Sequence, residues 1–347
     1  KEAMRVLHVT ECLAGGVQTA LAGYVKATPE LDHVVLANSR RGHNITMREV
    51  EGSSAFYVLP TNHLAAVKKV AKVAREVRPD VIHAHSSFAG AYSRIATLCV
   101  NVPVVYTPHA IAYGRPDFSS VKRAAYKGVE KLLSWKTKVF AGCSVHESEL
   151  LSDLNARVPV VTIPNALPPD HPAQELRWGA SSSPVVAMVG RINEYRDPQR
   201  FIDIVESGRR HNSGVEFVWI GDGDDAQRDA LKAAGVHVTG WLGGVDLQKK
   251  LTELSMLVYT SRWDGFPMVI LEAINSHVPT FVSNIAPLKE CPESARFDTA
   301  EQASSLVLKQ LEQNQPLSQH WDPLLAAHSF DSQKQALIRA YELATVS

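Results

Sequence analysis

Residues 4–27 read MRVLHVTECLAGGVQTALAGYVKA, and this stretch decides the fold class. Met4–Thr10 is an apolar run typical of a buried strand, and a loop with Gly15 and Gly16 follows it. A helix is predicted from about Val17. Because strand, glycine loop and helix in this order form the repeating unit of a parallel sheet covered on both faces, we expect an α/β protein.

The same alternation continues along the chain. Leu64–Val77 has the apolar period of a helix, and Pro79 ends it. Further strands are predicted at His33–Ala37, Phe56–Leu59, Val81–His85, Val102–Thr107, Val139–Cys143, Val160–Ile163, Val185–Val189, Val215–Ile220, Val236–Thr239, Met256–Tyr259 and Val278–Val282. Further helices are predicted near Pro198–Arg210, Ala226–Ala234, Leu247–Leu254, Pro267–Asn275, Ala300–Gln313 and Ser332–Ala344.

One segment breaks the alternation. Residues 167–184 read LPPDHPAQELRWGASSSP, which is rich in proline and serine and is predicted to be a linker. Since 347 residues exceed what one hydrophobic core usually organises, we expect two domains, at 1–168 and 184–331. Both are predicted to be Rossmann-like, doubly wound parallel sheets, and the helix within 332–347 can pack back on the first.

Composition and charge narrow the class of function. Hydrophobic residues make up 45% and charged residues 21%, as in ordinary globular proteins. The net charge is zero, but residues 1–168 carry +7 and residues 169–347 carry −7. The basic residues are dispersed and no nucleic-acid recognition motif accompanies them, so we expect no nucleic-acid partner. An anionic membrane surface or a lipid phosphate fits the basic half better.

The cysteines and the apolar runs indicate where in the cell the protein is located. Cys12, Cys99, Cys143 and Cys291 form no Cys-x-x-Cys pair, which favours reduced thiols over a metal or redox site. No apolar run approaches the roughly 18 residues of a membrane span, and Lys1–Thr10 has a strand pattern rather than that of a signal peptide. We expect a cytoplasmic protein, free or peripheral on the inner face of the cell membrane.

The segment Gly221–Ala226, GDGDDA, has the spacing of a dinucleotide fingerprint. Its three aspartates would repel a pyrophosphate at a helix start, and no further carboxylates complete a metal site around Asp222 and Asp224. A helix start is the expected reading. A backbone contact from Gly221 to a nucleotide base is the functional alternative.

Residues 189–198, VGRINEYRDP, place two arginines on a glycine-led loop after a strand. Open α/β sheets bind ligands at such strand ends. Guanidinium groups are planar, permanently charged and suited to bidentate contacts with phosphate. Arg191 and Arg196 are therefore candidate phosphate ligands, with surface salt bridges as the alternative.

Residues 261–273, SRWDGFPMVILEA, combine a close turn with a helix start. Gly265 lets a ligand approach the backbone, and Pro267 begins a helix whose free N–H groups, at Met268 and Val269, can bind an anion.

Two acids flank this turn. Asp264 precedes it, and Glu272 lies seven intervening residues later. Carboxylates in these positions can accept hydrogen bonds from sugar or ribose hydroxyls, or they can be ordinary acids of a helix terminus.

The helix predicted over Val121–Lys138 is amphipathic. Basic and apolar residues lie on different faces: Arg123, Lys127, Lys131 and Lys138 on one, Val121, Ala125, Val129 and Leu132 on the other. The pattern is typical of a membrane-surface helix and equally of a helix packed on a core with a solvated face.

Together these motifs resemble the retaining family-4 glycosyltransferases (glycosyl transferases group 1), which have the GT-B fold. SRWDGFPMVILEA is similar to the family's motif of two glutamates separated by seven residues. Six other motifs follow the family's order: Gly15-Gly16, His83-Ala84-His85, Thr107-Pro108-His109, Ile163-Pro164-Asn165, Gly190-Arg191 and Ile220-Gly221-Asp222-Gly223. The resemblance implies two Rossmann-like domains that face a central cleft.

The resemblance also implies roles for single residues. Arg191 and Arg196 would bind the donor diphosphate, Asp264 the donor sugar and Glu272 the ribose. His109 would reach the transferred sugar and, with His85, line the acceptor cleft. The implied catalytic set is His109, Asp264, Arg191 and Arg196. The implied donor-binding set is Gly15, Gly16, Arg191, Arg196, Gly221, Gly240, Asp264, Gly265, Phe266, Met268, Val269 and Glu272. Trp241 can stack near the base, but we expect it to pack in the core.

The expected activity is retaining, metal-independent transfer of a hexose from a nucleotide-diphosphate donor, UDP in particular, to a glycan or lipid-linked acceptor. No metal or other cofactor is expected. Asp264 stands where the family has glutamate, a change that bears on which sugar is bound. The alternatives are a nucleotide-sugar epimerase or hydrolase of the same fold and a noncatalytic nucleotide-sugar-binding subunit.

Overall fold

A computed structural model of the chain describes residues 3–38, 50–171, 183–211, 214–313 and 319–346. Most of the segment predicted to be a linker, 167–184, lies outside the described residues. The chain divides into two compact units. The first unit comprises Lys1–Pro169, Gly265–Met268 and Ala327–Ser347, and the second comprises Asp170–Asp264 and Val269–Ala326. Each contains a parallel sheet, so the prediction of two doubly wound α/β domains is confirmed.

The first unit contains seven strands: β1 (Arg5–Thr10), β2 (Asp32–Ala37), β3 (Ala55–Val58), β4 (Val81–His85), β5 (Val104–Thr107), β6 (Val139–Gly142) and β7 (Val160–Thr162). Its longer helices are α1 (Gly15–Ala27), α2 (His63–Val77), α3 (Ser87–Ala96), α4 (Ser120–Leu133), α5 (Val145–Ser152) and the last helix of the chain, Phe330–Thr345. The strand order is β3-β2-β1-β4-β5-β6-β7, with parallel pairing throughout.

The second unit contains β8 (Val185–Val189), β9 (Glu216–Ile220), β10 (His237–Val238), β11 (Met256–Tyr259), β12 (Thr280–Ser283) and β13 (Arg296–Phe297). Its helices are α6 (Pro198–His211), α7 (Asp225–Ala233), α8 (Gly244–Thr252), α9 (Met268–Asn275), α10 (Ala300–Gln313) and α11 (Asp322–Ala327), so the final helix, Phe330–Thr345, is α12. The strand order is β10-β9-β8-β11-β12-β13.

Each sheet has one point at which the order of its strands reverses. In the first sheet the point lies between β1 and β4, and in the second between β8 and β11. The loops that leave the carboxyl ends of two such strands diverge to opposite faces of the sheet and open a crevice, where doubly wound proteins bind ligands.

The core of the first unit explains where the last helix packs. Val6, Val81 and Val105 lie on one face of the sheet, and they share a buried cluster with α1 and with Leu337 and Tyr341 of α12. The amphipathic pattern predicts this helix, but the buried cluster on the distant sheet decides where it packs.

Differences from the predicted elements are confined to short segments. Strand β13, Arg296–Phe297, was not predicted, and the strand expected at Val236–Thr239 is limited to His237–Val238. Two-residue strands carry too little alternation to be recognised in a sequence. Within the described residues, no helix combines the length and the apolar character that crossing a bilayer requires.

Candidate functional site

The loop after β8 positions Arg196. Gly190 has φ 149°, a backbone conformation that favours glycine, and the Asn193 side chain accepts a hydrogen bond from the Arg196 N–H at 3.1 Å. A Cβ atom on Gly190 would lie 3.4 Å from Nε of Arg196. The guanidinium group thus lies against the bare backbone of the glycine.

The loop after β11 holds the other side of the same guanidinium group. Nη1 of Arg196 donates to Ser261 Oγ at 2.9 Å and to Asp264 Oδ2. The hydroxyl of Tyr259 donates to the same oxygen of Asp264 at 2.5 Å, and Thr260 Oγ1 donates to the Arg196 carbonyl at 2.8 Å. The loops of the two strands at the reversal point are therefore tied together through Arg196.

The Nε donor of this guanidinium group takes no part in these bonds. Nε of Arg196 is buried and has no hydrogen-bond partner among the described residues. A buried charged donor without a partner is unfavourable, and an acceptor atom of a ligand would satisfy it.

Glu272, on α9, is a buried carboxyl of the second unit. Its side chain is 8% exposed, and desolvation raises the pKa of its carboxyl to about 7. A carboxylate that receives hydrogen bonds from hydroxyl groups would be stabilised in its charged form. The group is thus suited to accept donors from a ligand.

Two further glycines lie beside these loops. A Cβ atom on Gly221 would stand 2.1 Å from the Gly190 carbonyl oxygen, and Gly221 forms an isolated bridge with Gly240.

The prediction that Trp241 packs in the core is wrong, because its side chain is 60% exposed. The Arg191 guanidinium carbon lies 5.5 Å from the centre of its ring.

The aspartates after Gly221 form a helix start, as predicted. Asp224 caps α7 by accepting a hydrogen bond from the Gln227 N–H at 3.0 Å, and Asp222 pairs with Arg228 at 2.8 Å. Among the described residues these carboxylates do not join a group of three metal-binding side chains.

In the first unit, Gly15 and Gly16 open helix α1. Ala14, which precedes the helix, provides no side-chain cap, and a Cβ atom on either glycine would meet nothing within 4 Å. The first N–H groups of α1 are therefore sterically accessible. Glu11, in the same loop, accepts a hydrogen bond from the Ala89 N–H at 3.2 Å.

His109 lies in an unusual loop after β5. His109 and Ala110 have φ values of 51° and 87°, which are costly for residues with a Cβ atom. The buried carboxylate of Glu147 holds this loop by accepting hydrogen bonds from the N–H groups of Ala110 at 2.7 Å and Cys143 at 2.8 Å. Burial raises the pKa of Glu147, and desolvation lowers the pKa of His109 to about 4.

The turn Gly265–Met268 belongs to this unit as well. A Cβ atom on Gly265 would lie 2.7 Å from Sγ of Cys143 and 3.0 Å from the Ala110 nitrogen, so only glycine fits. The carbonyl of Phe266 accepts a hydrogen bond from the Asn165 side chain at 2.7 Å. These contacts fix the turn that begins α9, whose first residues are Met268 and Val269.

The prediction that His85 lines an acceptor cleft requires correction. Its side chain is fully buried, and its ring nitrogens lie 3.0 Å from His109 and 3.0 Å from His8. His85 therefore lies behind His109 and cannot itself meet an acceptor.

Several residues of these sites were not predicted from the sequence. Tyr259 and Ser261 hold Arg196 and Asp264, Glu147 holds the His109 loop, and His8 continues the histidine contacts. A signal existed only for His8, since a histidine in an otherwise apolar strand is unusual. The others look like ordinary polar residues in a sequence.

Comparison with known proteins identifies two family models. Residues 15–166 match the model described as glycosyl transferase 4-like domain, and residues 183–306 match glycosyl transferases group 1. Together the two matches cover most of the chain.

The chain is also similar to individual curated proteins and solved structures. An uncharacterized 41.2 kDa protein in the cps region of Klebsiella pneumoniae is 24% identical over 83% of both chains. The Escherichia coli UDP-Gal:alpha-D-GlcNAc-diphosphoundecaprenol alpha-1,3-galactosyltransferase is 29% identical over 62% of this chain and 60% of that enzyme. The structure of Anabaena Alr3699/HepE in complex with UDP has a TM-score of 0.77 at 17% identity and covers 98% of this chain and 100% of that chain, a likeness of fold.

Proposed function

This chain belongs to the group 1 glycosyltransferases and has their GT-B fold, and on that basis we propose that it is a retaining, metal-independent hexosyltransferase. Its donor in this proposal is a UDP-sugar and its acceptor a glycan or a lipid-linked saccharide. The product would enter polysaccharide or glycoconjugate biosynthesis.

The observation that carries the proposal is a buried donor atom and a buried carboxyl in the second unit. Nε of Arg196 is a buried donor without a partner among the described residues, and Glu272 is a buried carboxyl with a raised pKa. A nucleoside diphosphate satisfies both, because its phosphate oxygens accept hydrogen bonds and its ribose hydroxyls donate them. A ligand with only one of these groups would satisfy only the donor or only the carboxyl.

The chemistry of transfer requires positive groups at the leaving diphosphate. When the bond from the anomeric carbon to the phosphate oxygen breaks, positive charge develops on the sugar and negative charge on the diphosphate. Arg191, Arg196 and the N–H groups at the start of α9 are preorganised to stabilise that negative charge. In this proposal the protein supplies this stabilisation itself, so no metal ion takes part.

Asp264 is assigned to the sugar through the family resemblance. Arg196 and Tyr259 both donate hydrogen bonds to its Oδ2 and fix the orientation of its carboxylate. His109 is assigned to the transferred sugar through the family resemblance, and Glu147 supports its loop. The acceptor attacks from the face that the diphosphate leaves, and the configuration is retained.

Names of similar proteins support the choice of donor and acceptor. The related E. coli enzyme is named for UDP-Gal and a diphosphoundecaprenol-linked acceptor, and the structural neighbour from Anabaena was solved in complex with UDP. UDP and a lipid-linked saccharide are accordingly the first substrates to test.

A transfer assay tests the whole proposal. The full chain is incubated with labelled UDP-sugars and lipid-linked saccharides in the presence of EDTA, and the product is analysed by NMR. We expect transfer with the anomeric configuration of the donor. An inverted product ends the retaining assignment, inhibition by EDTA ends metal independence, and release of free sugar without transfer favours a hydrolase.

Helix α4 supports a further part of the proposal, which is peripheral binding to an anionic membrane. The helix packs through the buried Glu130, which accepts hydrogen bonds from Arg94 and Tyr106 at 2.8 Å each. Its apolar stripe faces away from that contact: Val121 is 78%, Val129 53% and Leu132 72% exposed. These three side chains are not packed in a core, and their exposure supports the membrane-surface alternative.

Charge complements this apolar stripe. The basic residues of the helix and of the turn after it are exposed, and its one acid is the buried Glu130. These basic residues are Lys122, Arg123, Lys127, Lys131, Lys136 and Lys138. Apolar insertion combined with lysine near the headgroups is the physics of an interfacial helix on anionic lipid.

Vesicle flotation tests this part. We expect the chain to float with vesicles that contain phosphatidylglycerol and to remain unbound with phosphatidylcholine alone. Leu132→Ser should weaken flotation, whereas Val346→Ser, which changes an equally exposed apolar residue outside α4, should leave it unchanged. Equal flotation of all three proteins would contradict the assignment of α4.

A further inference from the structure

Four histidines of the first unit form a continuous hydrogen-bonded chain. The ring nitrogens of His33 and His8 lie 3.0 Å apart, those of His8 and His85 3.0 Å, and those of His85 and His109 3.0 Å. His33, His8 and His85 are at most 1% exposed. The chain thus runs from the buried side of strand β2 to the loop after β5.

The parallel strands bring these rings together. In the pairing of β1 with β4, His8 lies opposite His83 and Thr10 opposite His85, and in the pairing with β2, Val6 lies opposite His33. Because side chains alternate along a strand, the histidines share the face that α1 and α12 cover.

One end of the chain fixes the direction of its hydrogen bonds. Nε2 of His33 lies 2.9 Å from the carbonyl oxygen of Thr28, which can only accept. The hydroxyl of Thr28 donates its one hydrogen to the Tyr24 carbonyl at 2.8 Å, so towards His33 it is also an acceptor. Nε2 of His33 therefore carries the hydrogen.

The remaining tautomers follow step by step for neutral rings, which have one donor and one acceptor nitrogen. Nδ1 of His33 accepts from Nε2 of His8, and Nδ1 of His8 accepts from Nε2 of His85. Nδ1 of His85 accepts from Nε2 of His109. Nδ1 of His109 is then without a hydrogen, and no described residue forms a hydrogen bond with it.

We propose that His33, His8 and His85 are positioning residues that fix His109 in the Nε2–H tautomer, so that its Nδ1 can only accept a hydrogen bond. The ligand group that His109 contacts is then a hydroxyl donor, as on a sugar, and not a carbonyl or phosphate oxygen. The proposal rests on the proposed function for the contact of His109 with that ligand and for the ligand's identity.

Burial keeps the chain in the state that this requires. Desolvation lowers the pKa values of His8 and His85 well below the usual range, and it lowers the pKa of His33 as well. The added proton of an imidazolium would convert an accepting nitrogen into a donor and would reverse the chain. At neutral pH the low pKa values exclude that state.

The same rings could be considered for a metal ion, since His8, His83 and His85 have nitrogens within 4.8 Å of one another. These nitrogens are already engaged. His8 and His85 bond to each other, and His83 lies 2.8 Å from the Thr107 hydroxyl and 2.8 Å from the Tyr341 hydroxyl. A metal would have to break these contacts, so the hydrogen-bonded chain is the favoured arrangement.

The direct test is the tautomeric state of each ring, measured on the ligand-free full chain at neutral pH. The histidines are labelled with ¹⁵N, long-range ¹H–¹⁵N correlations distinguish protonated from bare nitrogens, and single His→Gln variants assign the resonances. We expect Nε2–H and bare Nδ1 for all four rings. A hydrogen on Nδ1 of His109, or a mixture of tautomers, would overturn the proposal.

A pair of variants tests whether the hydrogen-bonded row of histidines determines the tautomer of His109. His33→Leu removes the fixed end, and we expect His109 to become a mixture of tautomers; His33→Gln keeps a donor and an acceptor and should restore the single form. His63 is the internal reference, because it bonds to Tyr92 and does not belong to the row of hydrogen-bonded histidines. An unchanged His109 in His33→Leu would overturn the proposal.

The tautomer measurement still tests the proposal when a variant does not fold or when UDP does not bind. If His33→Leu fails to fold, the spectrum of the unmodified chain still gives the tautomer of His109. If UDP fails to bind, the proposed function falls while the tautomer measurement stands.

Discussion

The two sheets have the same type of strand order but present opposite chemistry at their carboxyl edges. In the first unit the loops and strands around the reversal point carry buried imidazoles whose pKa values are lowered, so they are neutral. In the second unit the corresponding position carries Arg196, Asp264 and Glu272, which are charged or close to charged.

One type of parallel sheet can thus carry two kinds of recognition chemistry at its carboxyl edge. A diphosphate requires permanent positive charge, which arginine supplies even when it is partly buried. Sugar hydroxyls are neutral, and uncharged donors and acceptors of fixed direction recognise them without attracting the phosphate. Variants at the carboxyl edge of the second sheet should therefore affect charge recognition. Variants at the edge of the first sheet should affect geometry.

The largest effect is expected for Arg196→Ala. The change removes the cation at the proposed leaving group, and the loss of one such stabilising group lowers kcat by about 10²–10³-fold. Steady-state kinetics with a UDP-sugar measure this loss. Arg228→Ala is the matched control, because it removes another arginine of the second unit whose partners are Asp222 and Asp225. Equal kinetics of the two variants would remove Arg196 from the phosphate site.

Glu272→Gln should stabilise the ligand-free chain in a pH-dependent way. Because its folded-state pKa of about 7 lies above the ordinary value of 4.5, the cost of burying the charge is present above pH 7 and vanishes below pH 4.5. We expect the free energy of unfolding to rise by about 3 kcal/mol near pH 8 and to stay nearly unchanged near pH 4.5.

Urea unfolding at both pH values measures this difference, and UDP affinity should fall in the same variant. Glu253→Gln, an exposed glutamate of the same unit, should change neither quantity. A gain in stability that is equal at both pH values would contradict the assigned burial cost.

Gly265→Ala tests the geometry of the first unit. The new Cβ atom would lie 2.7 Å from Sγ of Cys143, and such overpacking costs about 1–3 kcal/mol of stability. Cys143→Ala in the same chain should recover part of the loss. Gly243→Ala, where a Cβ atom meets nothing within 4 Å, is the control. Loss in both glycine variants would mean that the contact with Cys143 is not the cause.

The smallest effect is expected for Trp241→Ala. The exposed ring lies beside Arg191, and contacts of a cation with an exposed aromatic ring contribute about 0.5–1 kcal/mol. UDP affinity should therefore fall by about two- to five-fold. Trp135→Ala, an exposed tryptophan of the first unit, should leave it unchanged. A drop of the same size in both variants would exclude Trp241 as the cause.

The sequence predicted the two sheets because their strands are short apolar runs bounded by glycine and proline. Val81–His85, Val185–Val189 and Met256–Tyr259 were placed with the bounds that the structure has. The helix start at Asp224 followed from local capping chemistry, which depends only on neighbouring residues.

What depends on distant contacts could not be predicted. The position of α12 is set by a core cluster with Val6, and the burial of His85 is set by His8 on another strand. Tryptophan is large and mostly apolar, which favours burial, but the Trp241 side chain is exposed. Tertiary contacts of this kind leave no local pattern in the chain.

Calorimetric titration of the full chain with UDP, in the presence of EDTA, measures whether the chain binds a nucleoside diphosphate. We expect binding at one site per chain and its loss in Arg196→Ala. This expectation would be contradicted if no nucleoside diphosphate gave a binding signal, or if Arg196→Ala bound UDP as tightly as the unmodified chain.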